Sequence, residues 1–334
     1  MTDTNILTDK YGRKHSYLRI SLTERCNLRC TYCMPEHGVA VSPWGKLMSP
    51  DEVFEIAKRF VGMGVTKIRL TGGEPLVRKD FGQILEKLST LDVELSLTSN
   101  AVIIDRYIDQ LKAAGIKTVN ISLDSLHPTK FKTITRRDNF DKVKQNIDKL
   151  IQEGFKVKIN CVLIKGFNDN EIIDFIRYTQ NNPVTVRFIE FMPFDGNRWN
   201  RDKLVSHEEI LNMAFAEWSA TGVERLVDEA HDTSRNYSVH GFQGSFAIIS
   251  TVTNPFCDSC NRIRLTANGR IKNCLFSNSE VDLLTTFREG GDITPLVAQA
   301  IQAKAPIRGG MSTDESFSDP NNYNQNRSMI AIGG

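Results

Sequence analysis

Strand-like and helix-like segments alternate through the first two-thirds of the chain, and this alternation restricts the fold more than any other feature. Six segments rich in β-branched residues are predicted to be strands, at 18–23, 67–72, 94–100, 118–124, 156–164 and 185–192. Five segments between them carry apolar residues at helical spacing, at 50–64, 80–90, 105–115, 140–154 and 169–180. Strands joined by helical crossovers run parallel, so the pattern predicts an α/β fold. It does not decide whether the sheet closes into a barrel.

The alternation of predicted strands and helices ends after residue 193, which indicates a second region. A loop and a helix are predicted at 195–218, paired strands around Gly241 and Gly244, and a hairpin at Ala267–Gly269. Residues 308–334 are polar and lack a repeating pattern, so we predict a mobile tail. We therefore expect two domains, at 1–225 and 226–334.

The charge balance and hydropathy exclude some functions. Lys and Arg total 42 and Asp and Glu total 40, which gives a net charge of +2. Such a chain lacks the broad basic field of a nucleic-acid-binding protein. No apolar run approaches the roughly 20 residues that cross a bilayer, and residues 1–20 lack the apolar core of a signal peptide. We expect a cytoplasmic protein that binds neither membrane nor nucleic acid, and the sequence permits a homodimer.

Six of the seven cysteines form two groups of three. In the first group, Cys26, Cys30 and Cys33 directly follow the first predicted strand with the spacing C-x3-C-x2-C. Loops at the carboxyl ends of parallel strands are where α/β proteins build their sites. Three thiolates can hold three irons of a four-iron cluster and leave the fourth iron open to a ligand. The alternatives are a zinc site with His37 as fourth ligand, or cysteines that serve as core residues.

The second group, Cys257, Cys260 and Cys274, has the spacing C-x2-C-x13-C. The predicted hairpin would bring Cys274 back to the other two, again without a fourth cysteine. A second cluster with an open iron fits this count. The nearest histidine, His240, lies on a different predicted strand, and a zinc ribbon with a distant fourth ligand is the alternative.

The seventh cysteine, Cys161, lies in a predicted strand and is expected to be a buried structural thiol.

Several cations lie in or beside strands that are otherwise apolar. Arg262 and Arg264 alternate within the second cysteine group, so both should point to one face, where two guanidiniums can bind phosphate oxygens. Arg19, Arg69 and Lys158 lie in other predicted strands, and a charge there needs a partner or a cavity. As a set they favour an anion site. The alternatives are a solvated strand face for the arginine pair and ion pairs with the acidic residues near strand ends, Glu74, Asp124 and Glu190.

The first cysteine group, with Tyr32 before its last cysteine, resembles the signature of radical S-adenosylmethionine enzymes. Thr71–Pro75 reads TGGEP and resembles the GGE motif of that superfamily, in which the main chain beside the glycines holds the methionyl amino group. The second group narrows the resemblance. The chain resembles the GTP 3′,8-cyclase family of molybdenum cofactor biosynthesis. The segments that carry this resemblance are FCDSCNRIRLTANGRIKNCLF, RLTGGEP, NISLDSL, RFIEFMP and the terminal Gly333–Gly334. This resemblance covers Leu18 to Gly334.

The resemblance implies an incomplete (βα)6 TIM-like barrel, with S-adenosylmethionine at the strand carboxyl ends and a C-terminal region that covers the barrel mouth. It implies two [4Fe-4S] clusters, the second of which holds the guanine of GTP. A 5′-deoxyadenosyl radical would take hydrogen from ribose C3′, and the carbon radical would attack C8 to give (8S)-3′,8-cyclo-7,8-dihydroguanosine 5′-triphosphate. The implied partners are an electron donor and a separate cyclic pyranopterin monophosphate synthase that acts on the product.

The resemblance also assigns roles to individual residues. Those near S-adenosylmethionine are Tyr32, Gly73, Ser122 and Met192. Those that contact GTP are Arg19, Lys67, Arg69, Thr98, Lys158, Arg262, Ile263 and Arg264. Roles in catalysis fall to Lys158, Arg262, Arg264, Gly333 and Gly334, because the tail is expected to reach into the active site. One position departs from the family pattern, since Ala101 stands where a glycine is usual.

The residues alone are compatible with two other functions. A different radical enzyme with an auxiliary cluster, such as one that modifies peptides, would carry both cysteine groups but ignore GTP. A non-catalytic zinc-binding or iron–sulfur scaffold would hold metal without cleaving S-adenosylmethionine. Elemental analysis distinguishes zinc from iron, and nucleotide dependence distinguishes the two enzymes.

Overall fold

A single twelve-stranded sheet runs through the computed structural model, which describes residues 6–34, 38–195, 197, 199–323 and 326–333. The strands are β1 (Tyr17–Ser21), β2 (Lys67–Thr71), β3 (Glu94–Ser99), β4 (Thr118–Ser122), β5 (Lys156–Leu163), β6 (Thr185–Glu190), β7 (Val223–Arg225), β8 (Arg235–Val239), β9 (Ser245–Ile249), β10 (Arg262–Leu265), β11 (Arg270–Lys272) and β12 (Val281–Asp282). Their order across the sheet is β12-β11-β10-β1-β2-β3-β4-β5-β6-β9-β8-β7.

The middle of the sheet is parallel. From β10 through β1 to β6 and on to β9, each strand pairs in parallel with the next. The outer strands β11 and β12 on one side, and β8 and β7 on the other, pair antiparallel. The six strands predicted from the pattern are present, and the prediction of an α/β fold with a parallel sheet is confirmed. The two predicted antiparallel pairs are present as β8–β9 and β10–β11.

Helices connect the parallel strands β1 to β6, and further helices follow β6. They are α1 (Pro50–Gly62), α2 (Phe81–Ser89), α3 (Ile108–Ala113), α4 (Pro128–Thr135), α5 (Phe140–Gln152), α6 (Ile172–Tyr178), α7 (His207–Trp218), α8 (Leu284–Arg288), α9 (Thr294–Gln302), α10 (Asp314–Ser318) and α11 (Met329–Ile332). The five predicted crossover helices are confirmed, and α4 was not predicted. Short 3₁₀ turns, Ile104–Arg106 and Asp169–Glu171, precede α3 and α6. Within the described residues, no helix is long and apolar enough to span a membrane.

The first crossover shows why these segments become helices. Ser49 and Glu52 form a reciprocal capping box at the start of α1, and Pro50 occupies the first helical position, where its missing N–H costs nothing. The side chains of Val53, Ile56 and Phe60 recur at helical spacing and are buried. Local signals and the buried stripe therefore agree, which fixes α1 against the sheet.

Side chains alternate across the central strands, so the sheet has one apolar and one polar face. Leu18 and Ile20 of β1 and Ile68 of β2 are fully buried and belong to the main apolar core, which includes the buried sides of the crossover helices. The intervening positions carry Arg19 and Arg69. We call the side that carries these two arginines the polar face, and the candidate site is built on it.

The end of the chain is folded, so the prediction of a mobile tail is wrong for the residues described there. This segment contains α10 and α11. Met311, Phe317 and Ile332 are buried in a second apolar cluster with partners from the loop after β6, such as Phe194. Phe276, which follows β11, stacks on Phe194 with ring centroids 5.9 Å apart. The tail therefore packs over the loops at the carboxyl end of β6.

Candidate active site

Three arginines lie side by side on the polar face. The register puts Arg19 of β1 opposite Arg264 of β10 on one side and Arg69 of β2 on the other. Neighbouring strands are about 4.8 Å apart, so these like charges are close together. Burial and the nearby Arg264 hold the pKa of Arg19 well below its usual value, and burial lowers the pKa of Arg264 to about 10. Such a row forms a strong anion-binding surface.

The row of cations continues onto β5 and β6 through Lys158 and Arg187. Arg187 donates from Nε to Oδ1 of Asn160 over 2.8 Å, and from a terminal nitrogen to Oδ1 of Asn120. Burial, and then Arg69, lowers the pKa of Arg187 to about 9. Burial and Arg187 also lower the pKa of Lys158. Sequence analysis missed Arg187, although a charge in the apolar strand of the RFIEFMP motif was a signal that could have found it.

The carboxylates considered as alternative partners of these cations are engaged elsewhere. Glu74 and Glu190 accept hydrogen bonds from main-chain N–H groups of neighbouring loops, at 2.6 and 2.7 Å. Asp124 accepts a hydrogen bond of 2.9 Å from the Tyr32 hydroxyl. The three carboxylates therefore brace loops, and this arrangement favours the anion-site interpretation of the cations.

Three further residues predicted to contact GTP differ in their positions. Lys67, at the start of β2, forms an ion pair of 2.7 Å with Glu94, so its charge is already balanced. The side chain of Ile263 is fully buried on the apolar face, so only its main chain can approach the polar face. The hydroxyl of Thr98 is buried and has no hydrogen-bond partner among the described residues. Thr98 also lines the cavity described next, where a ligand could supply that partner.

A cavity at the carboxyl ends of β1 and β2 is lined by all three cysteines of the first group. Cys26, Cys30 and Cys33 share it with the four residues assigned to S-adenosylmethionine, Tyr32, Gly73, Ser122 and Met192. The cysteines lie on a tight turn, in which the N–H of Cys33 donates to the carbonyl of Cys30 at 3.1 Å. Burial raises the pKa of Cys26 to about 11 and that of Cys33 to about 12. Binding of a metal cluster here must therefore release thiol protons.

Gly73 is required by the way the cysteine loop packs on the next strand. Its N–H donates to the carbonyl of Thr23 at 2.7 Å, and the N–H of Glu74 donates to the carbonyl of Arg25 at 2.8 Å. A Cβ on Gly73 would lie 2.5 Å from that Arg25 oxygen. The glycine was predicted to let a ligand approach the main chain. In the structure it also lets the main chain beside Cys26 approach, which fixes the cysteine loop against the end of β2.

The hydrogen bond from Tyr32 to Asp124 fixes the other side of the cysteine loop. Asp124 follows β4, and it also accepts a hydrogen bond of 2.9 Å from the main-chain N–H of Val162. Burial raises the pKa of Asp124 to about 6. The first cysteine group is thus held between β2 and β4. Sequence reasoning did not predict this pairing, because it joins residues that are far apart in the chain.

The second cysteine group flanks the amino ends of β1 and β10. Cys260 lies just before β10, its N–H donates to the carbonyl of Cys257 at 3.1 Å, and antiparallel β11 returns the chain to Cys274. Although burial opposes the shift, Arg262 and Lys304 lower the pKa of Cys260 to about 6. The first group follows the carboxyl end of β1, so the two groups lie at opposite ends of the polar face. Within the C-terminal region, the tail and not the second cysteine group lies near the carboxyl ends of the strands.

Of the two histidines considered as zinc ligands, the structure describes one. His240 lies 4.0 Å from Glu224 at the end of β8, and His37 lies outside the described residues. In the part of the chain that the structure describes, no three His, Cys, Asp or Glu side chains come together as ligands of one metal ion. The spacing of the two cysteine groups remains the basis for predicting clusters, which spread their thiolate ligands over several irons.

The tail reaches the polar face. Arg264 donates a hydrogen bond to the carbonyl of Gly333, and Met329 lines the cavity of the first cysteine group. The other terminal glycine, Gly334, lies outside the described residues. Arg262, on the same strand as Arg264, lies with its guanidinium 4.8 Å from the centre of the Phe256 ring.

Ala101 keeps the backbone conformation that a glycine would favour. Its φ is 62°, in the left-handed region, and its methyl group is buried. Its N–H donates a hydrogen bond to the hydroxyl oxygen of Ser99 at 3.0 Å, and its carbonyl accepts a 2.6 Å hydrogen bond from Asn146. These contacts hold the turn, so Thr98 still faces the cavity.

Comparison with known families and structures agrees with the fold described above. Residues 20–179 match the family model of the Radical SAM superfamily, and residues 184–308 match that of Molybdenum Cofactor Synthesis C. The crystal structure of Streptococcus suis SuiB bound to S-adenosylmethionine has a similar fold, with a TM-score of 0.56 and 17% sequence identity. The similarity covers 81% of this chain and 65% of that one.

Curated relatives are much more similar in sequence. Molybdenum cofactor biosynthesis protein 1 of Mus musculus is 45% identical over 98% of this chain, which spans about half (51%) of that relative's length. GTP 3′,8-cyclase, mitochondrial, of Arabidopsis thaliana is 44% identical over 99% of this chain and 84% of its own. GTP 3′,8-cyclase of Peptoclostridium acidaminophilum is 42% identical over 100% of both chains. The chain therefore belongs to the GTP 3′,8-cyclase family of the radical SAM superfamily.

Proposed function

We propose that this chain converts GTP to (8S)-3′,8-cyclo-7,8-dihydroguanosine 5′-triphosphate, the first step of molybdenum cofactor biosynthesis. The observation that carries the proposal is the row of cations that crosses the polar face, with one cysteine group beyond each end of β1. With a rise of about 3.3 Å per residue, the five residues of β1 span roughly 15 Å. A nucleoside triphosphate that lies along this face could therefore reach from one cysteine group to the other.

The first cysteine group would hold a [4Fe-4S] cluster together with S-adenosylmethionine. The three thiols and the main chain at Gly73 line one cavity, which fits a polar ligand beside a cluster. The unpartnered hydroxyl of Thr98 lines the same cavity and would contact GTP there. When bound, the cluster supplies the electron that cleaves S-adenosylmethionine to a 5′-deoxyadenosyl radical. The chain would contribute position: Tyr32, held by Asp124, and Ser122 and Met192 would orient the ligand.

The cations would bind GTP. Arg19, Arg69 and Lys158, which are half-buried, with buried Arg187 beside them, would neutralise the triphosphate, because four neighbouring cations favour a polyanion strongly. Lys67 would contribute less, since Glu94 already balances its charge. These contacts would hold the ribose and base in one orientation and exclude water from the reacting carbon atoms.

The strand β10 would hold the base end of GTP. Arg262, Arg264 and the main chain of Ile263 would contact the nucleotide there. A second [4Fe-4S] cluster on Cys257, Cys260 and Cys274 would bind the guanine. The proposed catalytic groups are Lys158, Arg262, Arg264 and the tail glycines Gly333 and Gly334. The hydrogen bond from Arg264 to Gly333 supports the inclusion of the tail.

The remaining parts of the proposal concern architecture and partners. The sheet would curve into an incomplete (βα)6 barrel formed by residues 1–225, with residues 226–334 carrying the second cluster. The pairing of β10 with β1 supports a site shared by both regions. An electron donor and a cyclic pyranopterin monophosphate synthase would act before and after this enzyme. A cytoplasmic location and a homodimer remain predictions.

An anaerobic turnover assay tests the proposal. The reconstituted chain is incubated with S-adenosylmethionine and dithionite, with and without GTP, and the products are identified by mass spectrometry. We expect 5′-deoxyadenosine to form rapidly only with GTP, together with a product isomeric with GTP. Formation of 5′-deoxyadenosine without any nucleotide product would indicate a radical enzyme for another substrate. Failure to form 5′-deoxyadenosine with both clusters intact would indicate a scaffold protein.

A further inference from the structure

We propose that Lys304 is a positioning residue that raises the reduction potential of the cluster on the second cysteine group by placing its positive charge against Cys260. The inference rests on the proposed function, which supplies that cluster. It goes further by giving the two clusters different reduction potentials. The cluster beside Lys304 would accept an electron more readily than the cluster of the first group.

Lys304 is buried against the second cysteine group. Its side chain belongs to a residue only 3% exposed, just after α9. Its Nζ donates to Sγ of Cys260 at 3.5 Å and to the main-chain carbonyl of Arg262 at 2.9 Å. The N–H of Lys304 donates to the carbonyl of Ile301 at 3.1 Å, which fixes the backbone to the end of α9. The ammonium group is therefore held in one place, beside a predicted cluster ligand.

The loop that carries Lys304 is fastened to the same cysteines at two more points. The main-chain N–H of Arg308 donates to Sγ of Cys257 at 3.4 Å. Arg13, from the start of the chain, donates to the carbonyl of Cys257 at 3.0 Å and to the carbonyls of residues 305 and 306 at 2.9 and 2.8 Å. Arg13 is itself held by Asp9 at 2.6 Å. These bonds keep the loop at residues 304–308 in contact with the cysteine group.

The first cysteine group has a different electrostatic environment. The acidic side chains of Glu74 and Asp124 are buried and line the same cavity as its three cysteines. Reduction adds one negative charge to a cluster, and nearby positive charge and N–H donors to sulfur raise the reduction potential. The two environments therefore predict the higher potential for the second cluster, and Lys304 is a contributing charge outside the proposed nucleotide contacts.

The test is a potentiometric titration of the reconstituted full-length chain, followed by electron paramagnetic resonance without substrate. The variants are Lys304→Gln, which removes the charge, and Lys304→Arg, which keeps it. Lys117→Gln is the control, because Lys117 is exposed before β4. We expect Lys304→Gln to reduce the equilibrium constant for electron uptake by the second cluster about tenfold, a shift of about 59 mV for a one-electron couple. The first cluster, Lys304→Arg and Lys117→Gln should stay near wild type.

The iron content of each variant shows whether it still binds both clusters. If Lys304→Gln loses the second cluster while Lys304→Arg retains it at the wild-type potential, a positive charge is required at this position and the inference stands. An unchanged potential in fully loaded Lys304→Gln would overturn it, as would an Arg variant that behaves like the Gln variant. A wild-type chain that binds only one cluster would overturn the inference through the proposed function, and iron content alone would reveal this.

Discussion

The guanidinium of Arg264 donates a hydrogen bond to the main-chain carbonyl of Gly333, which joins β10 to the end of the chain. A few residues earlier, Met329 lines the cavity of the first cysteine group. The tail therefore reaches the cavity of the first cysteine group and an arginine of the second group's strand. A short segment of tail spans the space in which we place both substrates.

The position of Gly333 leads to a prediction about the tail. Its φ is 74°, and an added Cβ would lie 2.4 Å from Oγ1 of Thr71 and 3.0 Å from Cβ of Ser21. We expect Gly333→Ala to displace the tail and to slow GTP-dependent formation of 5′-deoxyadenosine at least tenfold, which corresponds to about 1.4 kcal/mol in the barrier. Gly290→Ala is the matched control, because Gly290 has φ 78° but open space around it. Equal activities of the two variants would refute a role for tail position.

Arg187 leads to a prediction about substrate binding. Its hydrogen bonds to Asn120 and Asn160 aim a buried charge at the polar face, so Arg187→Met should raise the KM for GTP by roughly 10- to 100-fold, in line with about 1.5–3 kcal/mol for a charged hydrogen bond. Arg177→Met is the control, since Arg177 is exposed and pairs with Glu217 on the outer helices. Steady-state kinetics with varied GTP measures both. A KM that does not move in Arg187→Met would exclude Arg187 from the site.

Glu74 leads to a prediction about pH. Burial raises the pKa of its carboxyl to about 7 despite the hydrogen bonds that it accepts. Between the unfolded value of about 4.5 and pH 7, the folded chain keeps a proton that the unfolded chain releases. The free energy of unfolding should therefore fall as pH rises through this window, by up to about 1.4 kcal/mol per pH unit.

Thermal unfolding of wild type and Glu74→Gln at several pH values between 5 and 7 checks this sign. The wild type should lose stability with rising pH relative to the variant, since other titrating groups are common to both and cancel in the difference. Glu86→Gln, at an exposed position of α2, is the control and should follow the wild type. A difference between wild type and Glu74→Gln that is constant with pH would contradict the raised pKa.

Ala101 leads to a prediction about stability. Replacement by glycine relieves a left-handed backbone that costs alanine roughly 1–2 kcal/mol. The same change removes a buried methyl worth about 0.8 kcal/mol and adds about 0.5–1 kcal/mol of chain entropy. We therefore expect Ala101→Gly to stay within about 1 kcal/mol of wild type, whereas Ala101→Val should be clearly destabilised. Thermal unfolding of the two variants measures this, and a strongly stabilised glycine variant would show that the contacts of Ala101 matter less than its strain.

Much of the sheet could be predicted from sequence, because its central strands are buried on one face and separated by amphipathic helices such as α1. The helix α4 was missed, since PTKFKTIT contains three threonines and little apolar periodicity, although Pro128 is a good first-turn residue. The folded tail was also missed. Phe317 and Ile332 are far apart and have no shared period, and only their contact with the loop after β6 makes them core residues.

The site was predictable in part for similar reasons. The cysteine groups follow from spacing, and the buried cations follow from charges in apolar strands. The pairing of Tyr32 with Asp124, the packing of Gly73 on the carbonyl of Arg25 and the contact of Lys304 with Cys260 depend on three-dimensional neighbours. Spacing along the chain contains no signal for such pairs.

The position of the abstracted hydrogen tests the central claim most directly. The reconstituted chain is incubated with S-adenosylmethionine, a reductant and GTP that carries deuterium at ribose C3′, and the 5′-deoxyadenosine is examined by mass spectrometry. If GTP lies along the polar face with C3′ facing the first cysteine group, one deuterium should appear in 5′-deoxyadenosine, and the nucleotide product should have lost it. If 5′-deoxyadenosine forms without deuterium while C3′ keeps its label, the chain does not abstract this hydrogen and is not a 3′,8-cyclase.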